Sequence, residues 1–360
     1  YSSPTFNDCD FTDNVDVNTT FAGGMFCGQY SSPTLNGCNF TGNKAAYGGG
    51  MWCDTYSSPT LNDCDFTSNG DENTQDGGGL RSNSSSLKLQ NCTFTSNVAR
   101  YGGGFYCTDG AGEFFPTLID CEFTDNDASS NGGGAWCGVS SDPLFQNCTF
   151  ADNTALLGGG LYSFLVSITV ENSSFVNNHA INTGGYGGGG MHCLESNLTL
   201  NNCLFARNDT VTNAGGLHLD ESDSILKNCT FANNSAILNN GAGGGLRLDN
   251  SATSLLYSCI FWNNNAAYHG TDQVAIAGQS SVEFWYSDVE NGFNPNYHGI
   301  DLDPLFVDEA NGDYRLQHVD TGHAADSPCI DTGDPNIMPY GSTRIDGLPD
   351  LGVIDMGYHY

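Results

Sequence analysis

One motif recurs along most of this chain, and its recurrence limits the fold more than any other feature. In residues 91–107 it reads NCTFTSNVARYGGGFYC. Its phenylalanine occurs ten times at separations of 25 to 30 residues. A repeat of this length that stays in phase is typical of a solenoid, in which each copy forms one coil. The phenylalanines are Phe11, Phe40, Phe66, Phe94, Phe123, Phe150, Phe175, Phe205, Phe231 and Phe261.

Three further positions keep the same phase as the phenylalanine. A cysteine precedes it by two residues in nine copies, with Ser173 in the remaining one, and a run of two to four glycines follows in nine of the ten. An asparagine lies three residues after each phenylalanine. These asparagines are Asn14, Asn43, Asn69, Asn97, Asn126, Asn153, Asn178, Asn208, Asn234 and Asn264.

The local pattern within a copy is strand, turn, strand. Cys92 and Phe94 alternate with polar residues, which is the period of a half-buried strand, and asparagine and glycine occupy the corners. Two or three short strands per copy predict one turn of a right-handed parallel β-helix, and ten copies predict about ten coils. Equivalent residues would then stack about 4.8 Å apart, giving an internal phenylalanine stack and an asparagine ladder.

The composition changes towards the C-terminus. The repeats and one irregular coil account for residues 1–286, and residues 287–360 hold most of the prolines found outside the repeats. Because the open end of a solenoid exposes unpaired backbone and core, we expect this tail to form a C-terminal cap. Tyr1 opens inside a repeat, which suggests that the chain is processed or cut from something longer, and no equivalent cover is expected at the N-terminal edge.

These paired F-x-x-N and Gly-Gly-x-x elements, over residues 7 to about 265, resemble the repeats of chlamydial polymorphic outer membrane proteins and related bacterial right-handed β-helix proteins. The tail, with DPLF and SPCIDTG, resembles the ending of many secreted bacterial β-helix proteins. The resemblance implies an extracellular or cell-surface location and an adhesive or structural role. The resemblance does not extend to the outer-membrane anchoring of the chlamydial proteins. The same fold also supports polysaccharide lyases and hydrolases, so fold alone does not choose a function.

The charge balance excludes some partners. Nine basic residues stand against 41 acidic ones, for a net charge of −32. Without a cluster of lysine or arginine, nucleic acid and anionic membranes are poor partners. The sequence contains no run of 18 or more apolar residues, so it predicts no transmembrane helix.

The fifteen cysteines leave two interpretations open. Stacked Cα atoms about 4.8 Å apart fall within disulfide range, so that neighbouring coils could be bridged. Cysteine is also a small buried hydrophobic residue, and Ser82 and Ser163 replace it in the second cysteine column without loss of the first. The sequence contains no C-x-x-C pair, which is the spacing that would predict a zinc or redox site.

The strand after the glycine run carries a candidate ligand or assembly surface. One predicted solvent-facing position in this strand holds an aromatic residue, histidine or arginine in nine consecutive coils. As a cross-strand ladder these residues would stabilise neighbouring coils. As an exposed row they would stack sugar rings or contact copies of the chain. The site residues are Phe26, Trp52, Tyr106, Trp136, Tyr162, His192 and His218, with Arg81 and Arg247 completing the row.

The tail offers a candidate calcium site. Carboxylates on tight turns provide the oxygen ligands that calcium prefers, and the alternative is that these aspartates only shape turns. No cofactor is required by any other feature. The candidate ligands are Asp331, Asp334, Asp346 and Asp350, with Asp355 nearby.

These features favour a non-catalytic function. A β-helix hydrolase needs carboxylates that converge, whereas Asp10, Asp65 and Glu122 fall in different, non-adjacent coils. No single place breaks the repeat, as an active site normally would. We expect an extracellular structural or adhesive protein whose partners are copies of itself, in filaments, or a surface glycan. The alternative is a secreted β-helix that binds or degrades polysaccharide.

Overall fold

The computed structural model describes residues 2–15, 20–108, 114–139, 141–238, 240–268, 270–294, 296–337, 341–343, 348 and 352–360. Three parallel sheets run along the chain, because each coil contributes short strands that pair with the equivalent strands of the coils on either side. The strand pairings between coils are parallel, as between Phe94 and Phe123, and the register shifts only within two pairings of the sheet that follows the ladder asparagine, at Ala99–Tyr101 and Ala128–Asn131. The prediction of an all-β parallel solenoid of about ten coils is confirmed.

Sheet 1 contains two strand columns, which merge where residues Ser167–Val176 and Asn197–Ala206 form continuous strands. The first column lies before the cysteine of each repeat and the second contains the phenylalanine. The first column also comprises Thr5–Asn7, Thr34–Asn36, Thr60–Asn62, Lys88–Gln90, Thr117–Ile119, Leu144–Gln146, Asp223–Lys227, Thr253–Tyr257, Ser281–Trp285 and Asn296–Tyr297. The second also comprises Asp10–Thr12, Asn39–Thr41, Asp65–Thr67, Thr93–Thr95, Glu122–Thr124, Thr149–Ala151, Thr230–Ala232, Ile260–Trp262 and Asp288–Val289.

Sheets 2 and 3 complete the coil. Sheet 2 follows the ladder asparagine, and sheet 3 follows the glycine run. Sheet 2 comprises Val98–Tyr101, Asp127–Asn131, Thr154–Leu157, His179–Ala180, Asp209–Thr210, Ser235–Ala236 and Asn265–Ala266. Sheet 3 comprises Met25–Cys27, Met51–Cys53, Leu80–Asn83, Phe105–Thr108, Ala135–Gly138, Leu161–Phe164, Met191–Leu194, Leu217–Asp220, Leu246–Asp249 and Val274–Ile276.

The phenylalanine stack forms as predicted. Neighbouring rings from Phe11 to Phe261 lie 4.5–4.9 Å apart between centroids, with interplanar angles of 1–11°. Nine of the ten rings are fully buried, and only Phe11 in the first coil is partly exposed. Because rings of successive coils overlap, the stack stabilises one register of the coils over any shifted register.

The asparagine ladder runs beside this stack. From Asn14 to Asn264, each side-chain Nδ2 donates to the Oδ1 of the next asparagine at 2.7–3.0 Å. From Asn43 onwards, the same Nδ2 donates to the main-chain oxygen of a phenylalanine in the preceding coil at 2.7–2.9 Å. The Oδ1 of each asparagine from Asn43 onwards also accepts from the backbone amide of the preceding ladder asparagine, as Asn126 does from Asn97 at 3.0 Å, so the ladder satisfies buried donors at the corner after the strand.

All fifteen cysteines, each within the described residues, are free thiols. Fourteen are buried and Cys9 is half-buried. Thiols of the first cysteine column donate to the main-chain oxygen two residues earlier, as Cys64 Sγ does to Asn62 at 3.2 Å. Of the two interpretations left open by the spacing, the structure has the unbridged ladder.

The tail first closes the end of the solenoid and then turns back along its side. Phe293 packs against Phe284 at 5.0 Å, and Asn296–Tyr297 extends sheet 1 beyond the expected boundary at residue 286. A two-stranded antiparallel sheet follows, with short 3₁₀ turns at Glu309–Asn311 and Val319–Thr321. Its strands are Phe306–Asp308 and Asp313–Leu316.

The returning part of the tail covers the outer face of sheet 1 in the last coils. A second apolar cluster joins Phe306, Tyr314 and Met356 to Leu204 and Ile260 of the solenoid. The backbone of His359 hydrogen-bonds both side-chain atoms of Asn202, 157 residues earlier. Among the described residues no helix is long and apolar enough to cross a membrane.

Candidate functional site

The aromatic and histidine residues singled out in sheet 3 form one continuous column. Phe26, Trp52, Arg81, Tyr106, Trp136, Tyr162, His192, His218 and Arg247 are register partners in successive strands. Tyr106 and Trp136 stack at 4.4 Å and 5°, and Tyr162 and His192 at 5.3 Å and 19°. The cross-strand contacts expected of a stabilising ladder are therefore present along the column.

The expectation that this column faces solvent is wrong for much of its length. Phe26 is 51% exposed, but Trp52 is 8%, Tyr162 5%, His192 1% and His218 0% exposed. The segments that precede each glycine run fold over the column: Tyr47 contacts Trp52, and Tyr101 contacts Trp136. Only the end at Phe26 presents a largely exposed ring, so a continuous platform for a ligand is not available.

Glycine is required where these covering segments approach the column. Gly102 has φ +62°, and a Cβ there would lie 2.2 Å from the main-chain oxygen of Phe105 and 3.0 Å from the Cβ of Tyr106. Neither contact is sterically allowed, and the left-handed conformation itself disfavours other residues. The first glycine of the run therefore serves to bring the chain against the column.

Arg81 is the one cation inside the aromatic part of the column. Its guanidinium carbon lies 4.5 Å from the Trp52 ring and 5.5 Å from the Tyr106 ring, and its Nε donates to Asp76 at 3.1 Å. Burial raises the pKa of Asp76 in spite of this arginine. Within the described part of the chain, Trp52 Nε1 and Arg81 Nη1 are buried donors without an acceptor. This part of the column therefore has unused hydrogen-bonding capacity.

The two histidines are held by hydrogen bonds. His218 Nδ1 accepts from the Gly187 amide at 3.3 Å and its Nε2 lies 2.8 Å from Asp249, while His192 Nδ1 donates to the Gly187 oxygen at 3.1 Å. Burial, reinforced by the neighbouring His218, lowers the pKa of His192 well below its usual value. Burial alone would raise the pKa of Asp249, but hydrogen bonds from His218 and Arg247 outweigh it and lower the pKa to about 2. These contacts fasten the loop at Gly187 to the column.

A second feature, not found from the sequence, is a groove of about 210 Å³ between sheet 1 and the tail. Glu171, Asn201 and Lys227 are register partners in three successive coils and line it. Asn172, at a left-handed position within Ser167–Val176, and Asn228, directly after Asp223–Lys227, also line it. Ile337 of the tail completes it. The sequence shows the three-residue column but not the wall, because the wall comes from a residue far along the chain.

A family model for a right-handed β-helix region matches residues 1–118. The matched stretch contains the first four phenylalanines of the stack, and the same parallel register continues beyond it to Phe261. This chain is a right-handed parallel β-helix. No curated protein and no solved structure matches it significantly.

In this β-helix the aspartates proposed for calcium are only partly described. The Asp334 side chain accepts from the backbone and side chain of Asn336 at 2.9 Å, and Asp331 has φ +54° in a turn. Asp346 and Asp350 lie outside the described residues. Within the described ranges no three histidine, cysteine, aspartate or glutamate side chains come together in an arrangement that would hold a metal ion. Asp334 therefore takes part in a turn, and calcium binding by these aspartates stays a prediction.

Proposed function

We propose that this protein is a non-catalytic structural or adhesive protein that acts outside the cell or at its surface. The observation that carries the proposal is the unbroken pair of ladders, in which every coil from Phe11 to Phe261 repeats the same stack and the same asparagine bonds. A catalytic site needs polar groups that depart from the local packing pattern and converge. A chain that keeps its pattern in every coil is suited to being a rigid rod.

The carboxylates on the repeat surface support this proposal. Asp10 accepts from Asn39 at 2.8 Å, and Asp65 accepts from Thr93 at 2.6 Å. Each carboxylate is thereby used in a hydrogen bond between neighbouring coils.

The thiols are compatible with an oxidising exterior. Oxidation and disulfide exchange need an accessible thiolate. Burial raises the pKa of Cys193 to about 12, and hydrogen bonding to Cys121, with burial, raises that of Cys92 to about 12. Buried thiols of this kind remain protonated and unreactive, so their unbridged state does not require a reducing compartment.

The similarity of the repeats to those of chlamydial polymorphic outer membrane proteins supports a bacterial surface role of the adhesive kind. Self-association would use side faces or coil ends, where strand edges can pair with another chain. We expect purified protein to form filaments or lateral arrays visible by negative-stain electron microscopy at high concentration. Particles that remain single rods at every concentration would remove the assembly part of this proposal.

The catalytic alternative is tested by turnover. The protein is incubated with a panel of neutral and acidic polysaccharides, and new reducing ends and unsaturated uronates are measured. We expect no product above that of a heat-denatured sample. Product formation that scales with protein concentration and survives repurification would overturn the non-catalytic assignment.

Carbohydrate binding at the Phe26 end of the sheet 3 column is the second candidate, favoured by the 51% exposed Phe26 ring, whose centroid lies 5.8 Å from that of Trp52. A sugar ring would stack on this exposed aromatic face. On a glycan array, Trp52→Ala combined with Trp136→Ala should abolish binding. Tyr268→Ala, which removes a 58% exposed ring that is not part of the column, serves as the control. Binding that persists in the double variant would refute this candidate.

A further inference from the structure

We infer that the groove between sheet 1 and the tail binds one ring of a neutral saccharide. This inference deepens the adhesive role proposed above and rests on it. The groove is distinct from the sheet 3 column, since it is lined by Glu171, Asn201 and Lys227 on the other side of the coil.

The Asn228 side chain has an acceptor that no group of the described residues uses. Asn228 is 0% exposed and lines the groove, yet its Oδ1 has no hydrogen-bond partner anywhere in the described chain. Its Nδ2 donates to the main-chain oxygen of Asp355 at 3.2 Å and lies 3.4 Å from His359 Nε2. Because that oxygen can only accept, the amide cannot be turned around without placing two oxygens together. The Oδ1 is therefore fixed away from the tail, and a buried acceptor left unpaired costs about 1–3 kcal/mol.

The polar groups of the groove follow a fixed order along the solenoid axis. Glu171, Asn201 and Lys227 occupy successive coils, so an acceptor, an amide and a donor follow one another at intervals of about 4.8 Å. The two charges are then about 10 Å apart on the same spacing, too far for an ion pair. Their sum is zero, so the groove selects neither anions nor cations. Asn201 Nδ2 donates to Glu171 Oε1 at 3.4 Å, and a connected row of donors and acceptors of this kind suits hydroxyls, each of which both donates and accepts.

The size and shape of the groove limit the ligand that it can hold. At about 210 Å³ the groove is smaller than the roughly 300–1,000 Å³ of sites that enclose drug-sized ligands. It therefore suits a single ring. Ile337 supplies an apolar wall on one side, against which the C–H face of a pyranose would pack, while the amides face its hydroxyls. Glucose, galactose and mannose are accordingly the probes of choice.

Saturation-transfer NMR on the full chain tests the inference. We expect transfer to the ring protons of at least one of the three sugars, and a shift of the Asn228 side-chain amide signal in ¹⁵N-labelled protein. Lys227→Ala and Asn201→Ala each remove a group of the groove surface and should weaken binding about tenfold, the effect of one lost hydrogen bond of about 1.4 kcal/mol. Lys88→Ala removes another exposed lysine of sheet 1 and should leave binding unchanged.

Three results would overturn the inference. They are the absence of transfer from all three sugars, an equal loss in Lys88→Ala, and binding of galacturonate alone that disappears with added salt. Sugar binding that is abolished by Trp52→Ala and unaffected by Lys227→Ala would also overturn it, while leaving the adhesive role intact. Turnover of a polysaccharide would instead overturn the proposed function itself, so the two failures are distinguishable.

Discussion

The asparagine ladder makes a quantitative prediction about Asn126→Ala in the middle of the solenoid. Asn126 is 1% exposed, and its Oδ1 accepts from both the backbone and the side-chain amide of Asn97 at 3.0 Å. Its Nδ2 donates to the Phe94 oxygen at 2.8 Å and to Asn153 Oδ1 at 3.0 Å. Alanine removes all four bonds and brings no replacement.

The cost follows from which partners are left unpaired. Asn97 Nδ2 retains its bond to Phe66, and Asn153 Oδ1 retains the backbone amide of residue 126. The Asn97 backbone N–H and the second proton of its Nδ2 both lose their acceptor, while the Phe94 oxygen, which lies within a paired strand, loses only one of its donors. Two buried polar groups at about 1–3 kcal/mol each give a loss of roughly 2–6 kcal/mol in the free energy of unfolding.

The assay must report on a repeat array, in which unfolding need not be two-state. Differential scanning calorimetry measures how much stability the main unfolding transition loses, and hydrogen exchange locates the coils that are destabilised. We expect faster exchange in the coils of Phe94 and Phe123, with the distant coil of Phe261 much less affected. The effect stays local because each coil contacts only its neighbours.

Asn14→Ala is the matched control. Asn14 belongs to the same ladder and donates to Asn43 at 2.7 Å, but it is exposed, so water replaces the lost bond. We expect a loss below about 1 kcal/mol. If Asn126→Ala and Asn14→Ala destabilise the protein equally, burial does not set the value of the ladder and this reasoning is wrong.

Three further outcomes follow from burial. Alkylation of the native protein should modify the half-buried Cys9 well before any other thiol, and mass spectrometry that finds a buried site modified equally fast would contradict this. Gly133→Ala should destabilise by more than about 1–3 kcal/mol in calorimetry, because its Cβ would lie 2.4 Å from the Gly159 oxygen, whereas Gly28→Ala should be nearly neutral. Burial raises the pKa of Asp288 to about 6, so the stability present below pH ~4 should fall by about 3 kcal/mol as pH rises from ~4 to ~6, and Asp288→Asn should abolish this dependence in urea titrations.

The core was accessible from sequence because it is periodic. A residue that recurs once per coil must stack on its own copies, so the neighbours of Phe94 could be predicted as Phe66 and Phe123 without a structure. The register of the sheet 3 column was predictable for the same reason. Regular spacing therefore determines which residues touch between coils, and it does so equally well for buried and exposed columns.

Exposure was not accessible, because the covering segments are not periodic. His192 and His218 were expected to face solvent, and they are buried by the loop that ends at Gly187, which is longer than its equivalents in other coils. The sequence gives the length of such an insertion but not the direction in which it folds. The hydrogen bonds that decide the direction join Gly187 to side chains of two different coils.

The groove could not be predicted from the sequence, because it forms where the tail folds back onto coils that lie much earlier in the chain. Asn228 is bonded to Asp355, 127 residues later, and Ile337 forms the opposing wall. No spacing rule connects such residues. In a repeat protein the core is thus determined by what every coil shares, whereas a binding site arises where one coil meets a segment outside the repeat. Lys227 illustrates the point: six of the nine other coils carry asparagine or glutamine at its position, and of these ten coils only this one, which is among those that meet the tail, carries a lysine there. A search for function in proteins of this architecture should therefore begin at the places where the sheet surface is covered by non-repeating chain.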